Sequence, residues 1–144
     1  MSNEDIRWIQ RFNNYIKALA QLTKFMERES LNELEEQGLI QSFEYNHELA
    51  WKTLKDFLED KGGSDLYGSK DVSREAFKQG LLGDDEQAGE VWLNMIKSRN
   101  MTSHTYNEET TQKIITAIVD DYFEAFVALR GRLQVLADKE LADE

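Results

Sequence analysis

Neither cysteine nor proline occurs anywhere in the chain, and glycine supplies only 8 of its 144 residues. The missing thiols exclude disulfides, thiolate zinc sites and a cysteine nucleophile. With no proline and so little glycine, nothing forbids long uninterrupted helices, and plentiful alanine, leucine, glutamate, lysine and glutamine favour them. No apolar run approaches the roughly twenty residues that span a bilayer. The opening stretch from Met1 to Trp8 is acidic and polar, where a signal peptide is basic and then apolar. These absences predict a cytoplasmic protein that does not associate with membranes. Basic side chains are scarce as well. Seventeen lysines and arginines stand against 28 acidic residues, a net charge of −11, which disfavours indiscriminate binding to nucleic acid or anionic lipid.

A local basic site remains open to such a chain. From Val91 to Asn107 there is no acidic residue, while Lys97, Arg99 and His104 all fall inside that window. Elsewhere Lys70, Arg74 and Lys78 recur at every fourth position and share a face if the stretch is helical, where they read as a solvated surface.

Hydrophobic spacing divides the chain into helices. Trp8, Phe12, Tyr15, Leu19, Leu22 and Met26 recur at three- and four-residue steps and predict a one-faced helix from about Glu4 to Arg28. The polar segment 29–38 reads as a bend with a turn of helix. Ile40, Phe43, His47, Ala50, Trp51, Leu54 and Leu58 build a second helix from about Leu39 to Asp60, closed by Lys61-Gly62-Gly63. A glycine- and serine-rich loop over 62–72 leads to a short helix at about Ser73–Gln79, stopped by Gly80. A further helix begins near Asp84, where Asp84 and Gln87 have the spacing of a capping box, and turns Val91, Trp92, Met95 and Ile96 inward. Asn107 caps the last helix, whose stripe is Ile114, Ile118, Tyr122, Phe126, Leu129, Leu133 and Leu136. The acidic tail 138–144 is expected to fray. Four long helices with short connections, plus one short extra helix, make an all-α antiparallel four-helix bundle. The length suits one domain over 1–144 with its core at about 6–136.

Several familiar chemistries have no residues to carry them. The chain holds neither a G-x-x-x-x-G-K-S/T phosphate loop nor an H-E-x-x-H zinc pair. Two histidines without cysteine make a structural zinc site improbable, and neither a metal nor a cofactor is expected. Glu44 and Glu48 share a helix face, where paired carboxylates ordinarily serve solvation.

The informative stretch is Lys97-Ser98-Arg99-Asn100-Met101-Thr102-Ser103-His104-Thr105-Tyr106, placed where one long helix stops and the last begins. It gathers a permanent cation, an amide, an imidazole and a phenol. That set suits RNA cleavage: an imidazole takes a proton from the ribose 2′-OH or gives one to the leaving 5′-oxygen. An arginine fork holds the scissile phosphate. The neighbouring hydroxyl is the nucleophile, so no metal is required. One histidine does not readily act as base and acid together, which makes a dimer juxtaposing two copies the natural solution. The full pattern R-N-x3-H-x-Y arises by chance roughly once in several thousand such chains. The same residues would also serve to cap and pair a helix junction.

The pattern resembles the R-x4-6-H signature of the HEPN superfamily, in the R-x4-H-x-Y form of the branch paired with minimal nucleotidyltransferases. Phe43-Glu44-Tyr45, Glu48-Leu49-Ala50-Trp51-Lys52 and Ser73-Arg74-Glu75-Ala76-Phe77 are similar to that branch too, and the resemblance runs from about Ile6 to Leu136. It implies an α-helical homodimer whose two motifs face each other, and a partner nucleotidyltransferase. It further implies that Arg99 and His104 are catalytic in metal-independent RNA cleavage and that Asn100 assists them. Tyr106 is then the residue the partner adenylylates to block activity. The alternative within the same resemblance is a non-catalytic subunit that binds a nucleotide or substrate for the nucleotidyltransferase.

Overall fold

A computed structural model describes residues 6–104 and 107–143. Its helices are α1 (Arg7–Met26), α2 (Glu33–Asp60), α3 (Ser69–Lys78), α4 (Glu86–Met101), α5 (Glu108–Ala117) and α6 (Phe123–Ala142). A single 3-10 turn, Thr102–His104, follows α4, and a π turn, Ile118–Tyr122, joins α5 to α6 without a break. The architecture is the all-α bundle with one short extra helix that the hydrophobic spacing predicts. α1, α2, α4 and the α5–α6 rod are its long members, and α3 is the short one.

Directions follow from which residues meet. Trp8 packs edge-on against Phe57, and Asn46 donates to the Ala18 carbonyl at 3.1 Å, so α1 and α2 are antiparallel. His47 lies against Trp92 while Glu44 meets Arg99, which makes α4 antiparallel to α2. Ser98 meets Tyr122 and Trp92 meets Phe126, which makes α4 antiparallel to α6. One hydrophobic cluster runs through all of these helices. Its widest members are Trp8, Phe12, Tyr15, Phe43, Trp92 and Phe126, each buried. The Tyr15 hydroxyl is spared an unpaired burial by donating to the Phe126 carbonyl at 2.7 Å.

Four boundaries differ from the sequence reading. α2 starts at Glu33, six residues before Leu39. Asn32 caps it with a reciprocal box: its side chain accepts from the Glu35 N–H at 2.8 Å, and its own N–H donates to Glu35 Oε1 at 3.0 Å. Glu33, Glu35 and Glu36 in the first turn suit the positive helix end, so the polar composition that suggests a bend belongs to a helix start. α3 starts at Ser69 rather than Ser73. α4 is capped by Asp85, whose carboxylate accepts from the Gln87 N–H at 3.0 Å; this replaces the Asp84–Gln87 box. Finally, α6 continues to Ala142, through most of the tail from Asp138 that is expected to fray. Glu140 anchors that end by accepting from the Trp8 indole and from Lys61, each at 2.7 Å.

The π turn is a feature that hydrophobic spacing did not indicate. Ile118 and Tyr122, at its two ends, are both buried. Tyr122 stacks on Phe43 and brings its hydroxyl to 2.7 Å from Ser98 Oγ, one residue before Arg99. Among the described residues no helix is long and apolar enough to cross a membrane.

Candidate functional site

The end of α4 is built by the helical repeat itself. Trp92 and Met95 are buried on its inner face, and Arg99 continues that face by one turn to the place where it meets solvent. There the guanidinium is half-exposed. Its Nη1 lies 2.9 Å from Glu44 Oε2 on α2 and donates to Thr102 Oγ1 at 3.1 Å. Thr102 Oγ1 is in turn 3.1 Å from Glu44 Oε2 and 2.8 Å from the Arg99 carbonyl. Arginine, threonine and glutamate thus close a three-membered ring that clips α4 to α2. A cation in the last turn also suits the negative end of the helix dipole.

Asn100 is exposed on the last turn of α4, and His104 is exposed at the end of the 3-10 turn. The Asn107 N–H donates to the His104 carbonyl at 3.2 Å, and the Asn107 side chain accepts from the N–H groups of Glu109 and Thr110 to cap α5. Arg99, Asn100 and His104 therefore occupy one continuous junction, as their spacing predicts. Tyr106, the fourth predicted site residue, lies outside the described residues, as does Thr105. Lys70, Arg74 and Lys78 form an exposed face of α3 away from this junction.

Sequence reasoning missed one neighbour. Glu44, read there as surface solvation, is the partner of Arg99. No spacing signal links positions 55 residues apart in sequence. His47, one turn along α2, is buried between Phe43 and Trp92, and its ring nitrogens have no hydrogen-bond partner among the described residues. Burial pulls the His47 imidazole from its usual 6.5 down to about 4, Glu48 opposing the shift and Arg99 adding to it. It is a neutral core group at physiological pH, whereas His104 is exposed.

This burial has a measurable consequence. Because the folded-state pKa lies below the unfolded one, the unfolded chain takes up this proton first, and stability rises with pH across the window between them. The His47 contribution is fully present above pH 6.5 and is lost as pH falls toward 4. The loss amounts to about 3 kcal/mol at ~1.4 kcal/mol per pKa unit. Urea denaturation at pH 7 and pH 4.5 should show His47→Leu with a shallower acid loss than the wild-type chain. Equal slopes would exclude the assignment.

A cleft of about 540 Å³ opens beside the clip, between the first half of α2 and the start of α5. Ile40 and Thr102 line it together with the carboxylates of Glu33, Glu36, Glu44 and Glu108. Those carboxylates give the cleft a negative potential that repels phosphates.

An antiparallel helical bundle whose fourth helix ends on an R-N-x3-H junction defines a HEPN-related protein of the branch paired with nucleotidyltransferases. The chain matches the family described as nucleotidyltransferase substrate binding protein like over residues 10–135, and it belongs to that family. It is 38% identical over 92 residues to a probable ribonuclease HepT of Haemophilus influenzae, a match covering 61% of this chain and 60% of the relative. Less than two thirds of that relative's length is therefore spanned. Among solved structures, a protein from Thermus thermophilus superposes with a TM-score of 0.74 at 36% identity, covering 83% of this chain and 98% of that one. A second, from Haemophilus influenzae, is described as revealing the fold of a substrate binding domain of a nucleotidyltransferase. Its TM-score is 0.63 at 29% identity, with 88% and 96% coverage.

Proposed function

We propose that this protein is a metal-independent endoribonuclease, the toxin of a toxin–antitoxin pair, held inactive by a partner nucleotidyltransferase that adenylylates Tyr106. The observation that carries this reading is the Arg99 guanidinium, clipped at a half-exposed helix end by Glu44 and Thr102 with His104 in the next turn. Clipping through one nitrogen leaves the rest of the guanidinium fork to face a phosphate. Asn100 adds an exposed amide for the same oxygens. His104 exchanges a proton with the 2′-hydroxyl or with the leaving 5′-oxygen as the ribose attacks its own phosphate. The relative named as a probable ribonuclease supports this assignment. Purified protein should cleave single-stranded RNA with chelator present and leave 2′,3′-cyclic phosphate ends. RNA that stays intact at all protein concentrations, or cleavage that stops on adding chelator, would sink it.

A second reading is a non-catalytic subunit that holds a nucleotide or other substrate for the nucleotidyltransferase. The family description favours it, and the net charge of −11 weighs on the same side, since a free ribonuclease gains from a basic surface.

The reading includes a cytoplasmic homodimer with the two junctions facing each other. Met101, inside the motif, is an exposed large apolar side chain, and Val119, Val127 and Val135 are exposed along the α5–α6 rod. Such surface is what a partner copy would cover. Sedimentation at micromolar concentration should give about twice the chain mass of 16.8 kDa. A monomer under those conditions would exclude a site shared between two copies.

A further inference from the structure

Between α3 and α4 lies a groove that neither functional reading uses. It measures about 340 Å³ and is lined by Arg74 and Phe77 on α3 and by Glu86, Gly89, Glu90 and Leu93 on α4. We propose that this groove is where the partner nucleotidyltransferase docks. The docking segment presents one apolar anchor, with an acidic residue on one side of it and a basic residue on the other. The inference rests on the partnership common to both readings and is independent of RNA cleavage.

Shape is the first reason. Phe77 lies so close to α4 that a Cβ on Gly89 would stand 2.9 Å from its ring. Glycine weakens a helix interior, and here its missing side chain lets the ring settle onto α4 as a wall of the groove. Leu93 lines the same groove. It is half-buried, yet it belongs neither to the hydrophobic cluster nor to the apolar residues packed on it. Apolar surface of that kind gains from a partner that covers it. The volume is near the lower end of the range for small-molecule sites, about 300–1,000 Å³, and suits an anchoring side chain.

Charge is the second reason. Arg74 is exposed on the α3 side, with Lys70 and Lys78 one turn to either side of it. Glu86 and Glu90, one turn apart, are exposed on the α4 side. Among the described residues no ion pair engages Arg74, Glu86 or Glu90. An apolar floor between rims of opposite sign selects a protein segment that carries both charges. The two carboxylates disfavour RNA and anionic lipid, which a basic helix alone would suit.

Place is the third reason. Leu93 and Asn100 are seven residues apart on α4, so they share a face and stand about 10 Å apart along the axis. A protein seated on Leu93 thus lies along the helix that ends on the Arg99 junction. That junction is where the partner must arrive, whether it modifies a residue there or takes a substrate held there.

Calorimetric titration of the full chain with the partner nucleotidyltransferase tests the site. Leu93→Arg should weaken binding at least about tenfold, as removal of a central anchor does. Arg74→Glu should weaken it about three- to tenfold, mainly through slower association. Lys17→Glu makes the same change of charge on an exposed position of α1 and should stay within about twofold of the wild type. All three should keep the helical spectrum, and free Leu93→Arg should keep the sedimentation mass of the wild type. Binding by folded Leu93→Arg within about threefold of the wild type would overturn the proposal. Arg74 is exposed, so Arg74→Glu decides the matter should Leu93→Arg fail to fold: a loss no larger than that of Lys17→Glu means general repulsion and no docking site. A free Leu93→Arg chain of lower mass, with the partner still bound normally, would make the groove a contact between copies instead. A wild-type chain that does not bind the nucleotidyltransferase removes the partnership itself and this proposal with it.

Discussion

His104→Ala should lower RNA cleavage about 10²–10⁴-fold, the range lost with a positioned acid–base group, and relieve growth inhibition while leaving the helical spectrum unchanged. The expectation of an intact fold comes from the site's geometry. His104 is exposed in a 3-10 turn and lies outside the hydrophobic cluster, so its truncation opens no cavity. Arg99→Ala should reduce cleavage comparably, with little cost in stability. Its ion pair with Glu44 is partly solvent-exposed on both sides, and such pairs contribute at most about 1 kcal/mol. Arg99→Lys is the sharper variant. A lysine ammonium can satisfy Glu44, but it then has no planar fork left to grip a phosphate. It should therefore preserve the clip, measured as an unchanged melting temperature, without restoring cleavage. Full activity in Arg99→Lys would mean that charge alone is needed. Undiminished cleavage in His104→Ala would remove the imidazole from the mechanism.

The second large effect is expected at Tyr106. Co-expression with the partner nucleotidyltransferase and ATP should raise the mass of this chain by whole AMP units, and Tyr106→Phe should abolish the shift together with the protection from toxicity. The physical basis is competition. Tyr106 follows His104 by two residues in sequence, so an adenylyl phosphate on its oxygen would bring a negative charge near the Arg99 junction. There it would occupy the cation meant for RNA phosphate. No rearrangement of the bundle is needed for such a block. Intact-mass spectrometry of the co-expressed pair separates the two functional readings. A substrate-binding subunit would remain unmodified while altering the partner's action on another molecule.

Much of the fold was legible from the chain because its helices bury one face each. The three- and four-residue spacing of Trp8 to Leu22, or of Phe126 to Leu133, is written locally and needs no tertiary knowledge. The start of α2 was misjudged because capping and the helix dipole hold it, and these act on polar residues that hydrophobic spacing ignores. The persistence of α6 past Leu136 depends on Glu140 meeting Trp8 and Lys61, contacts between distant parts of the chain. The same distinction divides the site. Arg99, Asn100 and His104 lie within six positions and announce themselves as a motif. Glu44 is brought to them by the antiparallel crossing of α2 and α4, which no local pattern encodes. The π turn was likewise hidden, since one added residue in a helical ring leaves the spacing of apolar residues nearly intact.

The hydrogen bond between Trp8 and Glu140 brings the beginning of α1 and the end of α6 together. Phe57 marks the same end of the bundle on α2, packed on Trp8, and it lies thirteen residues along that helix from Glu44. At 1.5 Å per residue the separation is about 20 Å. A fluorophore or surface tether attached at either end would thus stand clear of the Arg99 junction.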